Sequence, residues 1–195
     1  MLRDIFLWPV RIFMRLIFRI KVYGTENMPQ NGGCIIAANH LSFWDPVLIA
    51  CFLHKRRICF LAKAELFKFP PFGFVMRNLG AVPIYRASRD AGTLMLAINH
   101  LKKGNVLGIF PEGTRIRNGK KSVAKRGTIK MAKAANAAVV PVCINATYKL
   151  FSKVTMTVGE PITYNGDYTE EELSEKSREL MDGIYALGEG TAENK

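Results

Sequence analysis

Residues 34–46, CIIAANHLSFWDP, pass from a five-residue apolar run through a polar turn into Asp45-Pro46, after which residues 47–53 are apolar again. The run reads as a buried strand and Asp45-Pro46 as a helix start, so His40 stands at a strand end and Asp45 at a helix beginning. Continued as a strand, this stretch would hold the two side chains about 16 Å apart; in an unbroken helix they would lie roughly 140° apart. Only a turn lets them meet. If they do, the Asp carboxylate accepts the Nδ1 proton of His and leaves Nε2 to take a proton from a hydroxyl. A plainer reading stands beside it, in which Asp-Pro merely caps the helix and His40 is structural.

Working outward, further apolar runs read as strands at residues 19–23, 58–62, 80–86, 105–110, 138–144 and 154–158. Helical segments are expected at 46–54, within 63–80, and at 89–103 and 126–136. A last helix starts from the Thr169/Glu172 capping box and runs to about Leu187. Pro83 inside a strand points to an edge or a bulge. This alternation predicts a single α/β domain over residues 21–187, with a mostly parallel mixed sheet of about seven strands flanked by helices. Residues 1–20 are expected to form a separate amphipathic helix and residues 188–195 a polar tail.

On a helix at 100° per residue, Arg3, Asp4, Arg11, Arg15 and Arg19 share one stripe, opposite Ile5, Phe6, Ile12, Phe13, Leu16, Ile17 and Ile20. Charges every four residues do not suit a membrane span of roughly 18 apolar residues, and no cleavage site makes the segment a signal peptide. The expectation is a helix lying in the plane of an anionic phospholipid surface, with Trp8 at headgroup level and a kink or break at Pro9. Docking on the protein's own core is the alternative. The Phe-rich stretch 63–80 is open between core and lipid contact.

The formal charge of +12 calls for an anionic partner, whether nucleic acid, a phospholipid surface or a phosphorylated substrate. The basic run 115–130 lacks interleaved aromatics or a recognisable module, so nucleic acid is not expected and the run also reads as a solvated face. Cys34, Cys51, Cys59 and Cys143 stand singly in apolar runs, which fits reduced thiols in a cytosolic setting better than disulfides, zinc or a nucleophile. Residues 113–122 look like a phosphate-binding P-loop, but five residues rather than four separate the glycines and Lys121 stands where Ser or Thr is required.

His40, Arg86 and the Glu112-Gly113-Thr114-Arg115 loop each follow a predicted strand, and ligands of open α/β sheets bind beyond the carboxyl ends of the strands. A guanidinium fork, a glycine that lets backbone approach and a threonine hydroxyl suit a phosphate. Beside His40 they make a site for a phosphorylated substrate carrying a hydroxyl.

Four blocks in order, residues 39–45 (NHLSFWD), 63–66 (KAEL) running on to Gly80 and Arg86, 110–115 (FPEGTR) and 139–142 (VVPV), resemble the glycerolipid acyltransferases typified by 1-acylglycerol-3-phosphate acyltransferase. The resemblance implies transfer of a fatty acyl group from acyl-CoA or acyl carrier protein, as co-substrate, to the sn-2 hydroxyl of lysophosphatidic acid, with no cofactor and no metal. It makes His40 the general base and Asp45 its orienting partner. Lys63, Arg86, Glu112, Gly113, Thr114 and Arg115 would hold the acceptor phosphate, and Pro141 would shape the site wall. It fits a peripheral protein on the cytoplasmic face of the cell membrane. Tyr85 and Ile116 depart from the family pattern beside Arg86 and Arg115, which leaves open another acceptor such as glycerol-3-phosphate or a different lysophospholipid. A non-catalytic basic protein binding membrane or nucleic acid is the rival of another class.

Overall fold

The computed structural model of the protein describes residues 2–53, 56–78, 80–84, 91–115 and 124–190. In chain order the elements are α1 (Leu2–Ile17), β1 (Arg19–Tyr23), β2 (Cys34–Ala38), α2 (Asp45–Phe52), β3 (Ile58–Lys63), α3 (Pro70–Asn78), β4 (Ala81–Ile84), α4 (Ala91–Lys102), β5 (Val106–Ile109), α5 (Gly127–Ala135), β6 (Ala138–Ala146), β7 (Lys153–Val158) and α6 (Glu170–Gly190). Single 3₁₀ turns stand at Thr25–Asn27 and Ala64–Phe67.

The strands form one seven-stranded sheet in the order β1-β7-β6-β2-β5-β3-β4. All pairs are parallel except β6 with β7. β2 lies at the centre with all five residues buried. Its Cys34, Ile36 and Ala38 face a core shared with α1 and α2, while Ile35 and Ala37 face a second core built with α4, α5 and α6. Covered on both faces, such a strand needs apolar side chains throughout, hence the unbroken run. Pro83 sits in β4, an edge strand, where its missing N–H costs no ladder bond on the open side.

Several expectations are corrected. The boundary at residue 20 falls inside β1, which pairs with β7 from Arg19 onward, and α1 packs on the sheet domain through Leu7 and Met14, both 0% exposed. The helix also runs on through Pro9 rather than breaking there. Buried side chains on both sides of the proline hold the two halves against the core despite the lost bond. The short 3₁₀ turn at Ala64–Phe67 and a second helical segment lie on either side of a break, as expected, and Pro70-Pro71 opens α3, since a missing N–H is harmless in a first turn. α6 begins at its capping box, where Thr169 N donates to Glu172 Oε2 and Glu172 N to Thr169 Oγ1, and it extends to Gly190, past the expected end.

Because β2 to β6 are parallel, their carboxyl ends share one edge of the sheet. β7 runs the other way and β1 runs with it, so the starts of β1 and β7 come to that same edge. That edge carries the site.

Candidate active site

Beyond β2 the chain is pinned before it turns. Asn39 is 3% exposed and acts as a peptide mimic: Nδ2 donates to Ile144 O at 2.8 Å and Ile144 N donates to Oδ1 at 2.7 Å, fixing the end of β2 against β6. His40 follows. Its backbone N–H donates to Glu112 Oε2 at 3.1 Å, and its ring stacks on Phe110 at 4.0 Å between centroids and 17° between planes. Residues 41–44 then curl so that Asp45 comes back under the imidazole.

Asp45 is 0% exposed, and its Oδ2 lies 2.8 Å from His40 Nδ1. The same oxygen accepts the backbone N–H groups of Leu41 at 2.6 Å and Ser42 at 2.7 Å. Asp45 is therefore the first residue of α2 and bonds backward into the turn, rather than forward as a cap. A buried carboxylate without partners would be prohibitively costly; here the two amides and the imidazole hold it. With the carboxylate accepting from Nδ1–H, the free lone pair sits on Nε2.

Tyr148, in the connection after β6, donates its hydroxyl to Asp45 Oδ1. Burial and the adjoining Asp45 carboxylate push the phenol well above its ordinary pKa, so it remains a donor. Tyr148→Phe keeps the edge contact with Phe18 but removes one donor from a buried charge, a loss of about 1–3 kcal/mol. Thermal melting should show a fall of several degrees, roughly 2–4 °C per kcal/mol at this size. Turnover should fall with little change in KM, and an unchanged melting temperature and rate would show that the hydroxyl contributes nothing.

The strand-end loop after β5 braces the turn from the other side. Glu112 is 3% exposed, and its Oε1 accepts the Tyr185 hydroxyl of α6 at 2.7 Å while Oε2 takes the His40 amide. Burial pushes its carboxyl above the ordinary value, against the downward pull of those two hydrogen bonds. Expected among the phosphate ligands, this carboxylate instead has both oxygens engaged by protein donors. Gly113 has φ +71°, a left-handed conformation that favours glycine, and Thr114 is exposed. The Arg115 guanidinium lies 3.7 Å over the Phe43 ring. Lys63 ends β3, and Arg86 lies outside the described residues.

His40 opens onto a cleft of about 310 Å³ whose walls are mostly apolar, among them Phe43, Pro46, Phe60, Leu66, Met76, Ile109, Phe110 and Met131. Gly108 makes part of this wall possible. A Cβ there would stand 2.3 Å from the Phe60 ring, which lies across β5 and continues the row through Phe110 to His40. Burial raises the Cys34 thiol and pushes Cys143 up to about 11, which keeps both protonated and unsuited to nucleophilic work.

Sequence reading missed Tyr148, Tyr185 and the Phe60-Gly108-Phe110 row. Tyr148 carried a usable signal: it follows β6 as His40 follows β2, at the same sheet edge.

The Acyltransferase family model matches residues 19–145, from the start of β1 nearly to the end of β6. The 1-acyl-sn-glycerol-3-phosphate acyltransferase of Borreliella burgdorferi is 36% identical over 137 residues, covering 69% of this chain and 54% of that protein. The protein of the same name from Bacillus subtilis is 29% identical over 158 residues, 78% of each chain. The chain thus spans little more than half of the first relative and about three quarters of the second. The crystal structure of the 1-acyl-sn-glycerophosphate (LPA) acyltransferase PlsC from Thermotoga maritima superposes with a TM-score of 0.76 at 32% identity, covering 95% of this chain and 78% of that one. A family match that takes in His40, Asp45 and the Glu112 loop, together with a shared fold over nearly the whole length, means that the chain belongs to the acyltransferase family.

Proposed function

We propose that the protein transfers a fatty acyl group from a thioester of coenzyme A or acyl carrier protein to the sn-2 hydroxyl of lysophosphatidic acid, forming phosphatidic acid. The observation that carries this reading is the His40 Nδ1 to Asp45 Oδ2 hydrogen bond of 2.8 Å at the mouth of an apolar cleft. The names of the Borreliella burgdorferi and Bacillus subtilis relatives support the acceptor.

In the reaction, His40 Nε2 takes the proton of the acceptor hydroxyl as that oxygen attacks the thioester carbonyl. The C–O bond forms and the C–S bond breaks. The imidazolium, stabilised by Asp45, returns its proton to the departing thiolate. No acyl-enzyme is needed. The acyl chain occupies the cleft lined by Phe60, Met76 and Phe110, and Lys63, Arg86 and Arg115 hold the acceptor phosphate. Gly113 and Thr114 shape that approach, and Glu112 braces the His40 amide from behind.

The protein rests on the cytoplasmic face of the membrane through α1. No described helix is long and apolar enough to cross a bilayer. While Leu7 and Met14 dock inward, Ile5, Trp8 and Leu16 are each more than 60% exposed. Exposure on that scale suits burial at the boundary between headgroups and acyl chains.

A panel of acceptors offered with one radiolabelled acyl-CoA tests the assignment. Lysophosphatidic acid should give the highest kcat/KM, and equal or faster use of glycerol-3-phosphate or another lysophospholipid would overturn it. Arg86→Ala should raise the KM for lysophosphatidic acid about tenfold or more with kcat largely kept, the size expected for a charge-assisted phosphate contact. An equal loss with a phosphate-free acceptor would remove that role.

A further inference from the structure

The connection between β6 and β7 turns two large apolar side chains outward, uncovered by any of the described residues. Leu150 is 67% exposed and Phe151 60% exposed. Surface side chains of this kind are unremarkable when scattered singly, but these are adjacent and sit on a constrained backbone. Tyr148 and Phe151 have φ values of +55° and +60°, a region that residues other than Gly, Asn and Asp seldom adopt. The tip is closed by Ser152 N donating to Lys149 O at 2.9 Å.

The loop is also tied to the end of α1. Phe151 N donates to Ile17 O at 2.7 Å, and Arg19 N donates to Ser152 O at 3.0 Å. Its apolar pair therefore stands next to the last turn of the helix, where Phe13 is 50% and Leu16 68% exposed. On the other side Phe18 meets Tyr148 and Trp44 edge-on at 5.7 and 6.4 Å, and Trp44 is 37% exposed. Residues 147–153, TYKLFSK, contain no acid, and Lys149 and Lys153 are exposed, as are Arg15 and Arg19. An apolar tip ringed by bases is complementary to an anionic headgroup layer over acyl chains: the apolar groups enter and the amines and guanidinia stay at phosphate level.

We infer that the β6–β7 loop is a second membrane foot, with Leu150 and Phe151 entering an anionic bilayer beside α1. This rests on the membrane attachment proposed above and extends it to a segment far from α1 in sequence. The loop and the end of α1 lie side by side at the sheet edge that carries His40, and two residues before the tip Tyr148 holds Asp45. A bilayer gripped there presents a lipid acceptor directly to the site.

The test uses the full chain with Leu150→Ser and Phe151→Asn together, asparagine being suited to the left-handed φ at position 151. Co-sedimentation with vesicles of phosphatidylcholine and phosphatidylglycerol should show the dissociation constant weakened about tenfold or more, from the transfer of two large side chains. Melting temperature and turnover of a short-chain, freely soluble acceptor should stay at the wild-type level. Phe151→Asn alone should weaken binding in the same direction by a smaller factor. Equal vesicle affinity of wild type and double variant would overturn the second foot while leaving attachment by α1 standing; failure of the wild type to sediment would overturn both. A changed oligomeric state at constant vesicle affinity would assign the tip to a second copy of the chain instead.

Discussion

His40→Ala is expected to lower kcat by about 10²- to 10⁴-fold, the usual contribution of a positioned general base, with KM for both substrates little changed. The fold should survive. Without the imidazole, Asp45 still accepts the amides of Leu41 and Ser42 and the hydroxyl of Tyr148, so no buried charge is orphaned. The ring itself is partly exposed and gives up its hydrogen bond to Asp45 and its stack on Phe110. Circular dichroism and thermal melting alongside the acyl-transfer assay separate the two effects. Retention of most activity would remove His40 from the proton transfer.

Asp45→Asn is the second large effect, and its origin differs. The Leu41 and Ser42 amides both point at Oδ2, so the asparagine carbonyl is forced to that position and its NH₂ faces Tyr148, whose hydroxyl can turn to accept. The carbonyl can still accept from His40 Nδ1. What is lost is the negative charge that stabilises the imidazolium formed during transfer. We expect kcat to drop about 10²- to 10³-fold, within the range for general-base catalysis, while KM and fold are largely kept. Asp45→Ala should differ by also destabilising the fold, since two turn amides and a phenol lose their acceptor. Wild-type turnover in Asp45→Asn would mean that the carboxylate serves only to shape the turn.

Much of the architecture could be read from local pattern. The run 34–38 announced a strand covered on both faces, and the alternation around it announced a parallel sheet. The break between His40 and Asp45 was readable from the apolar run that ends before it and the Asp-Pro helix start after it, whereas their meeting stood as one of two readings. Strand order was not readable, since periodicity says which face is buried and not which neighbour does the burying. The reversal of β7 did leave a trace: the connection 147–152 is shorter than the dozen or so residues a parallel crossover needs. Tyr148 was missed because it is 103 residues from Asp45 and enters from a loop, its place just after β6 being the one signal it carried. The α1 helix was posed as facing either core or lipid, whereas it is apolar over enough of its circumference to bury Leu7 and Met14 and still expose Ile5, Ile12, Phe13 and Leu16. Glu112 was grouped with Gly113, Thr114 and Arg115 by adjacency, but folding turns its carboxylate inward to the His40 amide.

In the proposed reaction Asp45 fixes the proton of His40 on Nδ1 and leaves Nε2 to receive one. Nitrogen-15 NMR of selectively labelled histidine measures this directly, since the chain has only 3 histidines and His40→Ala assigns the signal. In the neutral ring Nδ1 should be protonated and shifted by a strong hydrogen bond, and Nε2 unprotonated. A ring protonated at Nε2, or one whose Nδ1 signal does not respond to Asp45→Asn, would contradict that role for Asp45.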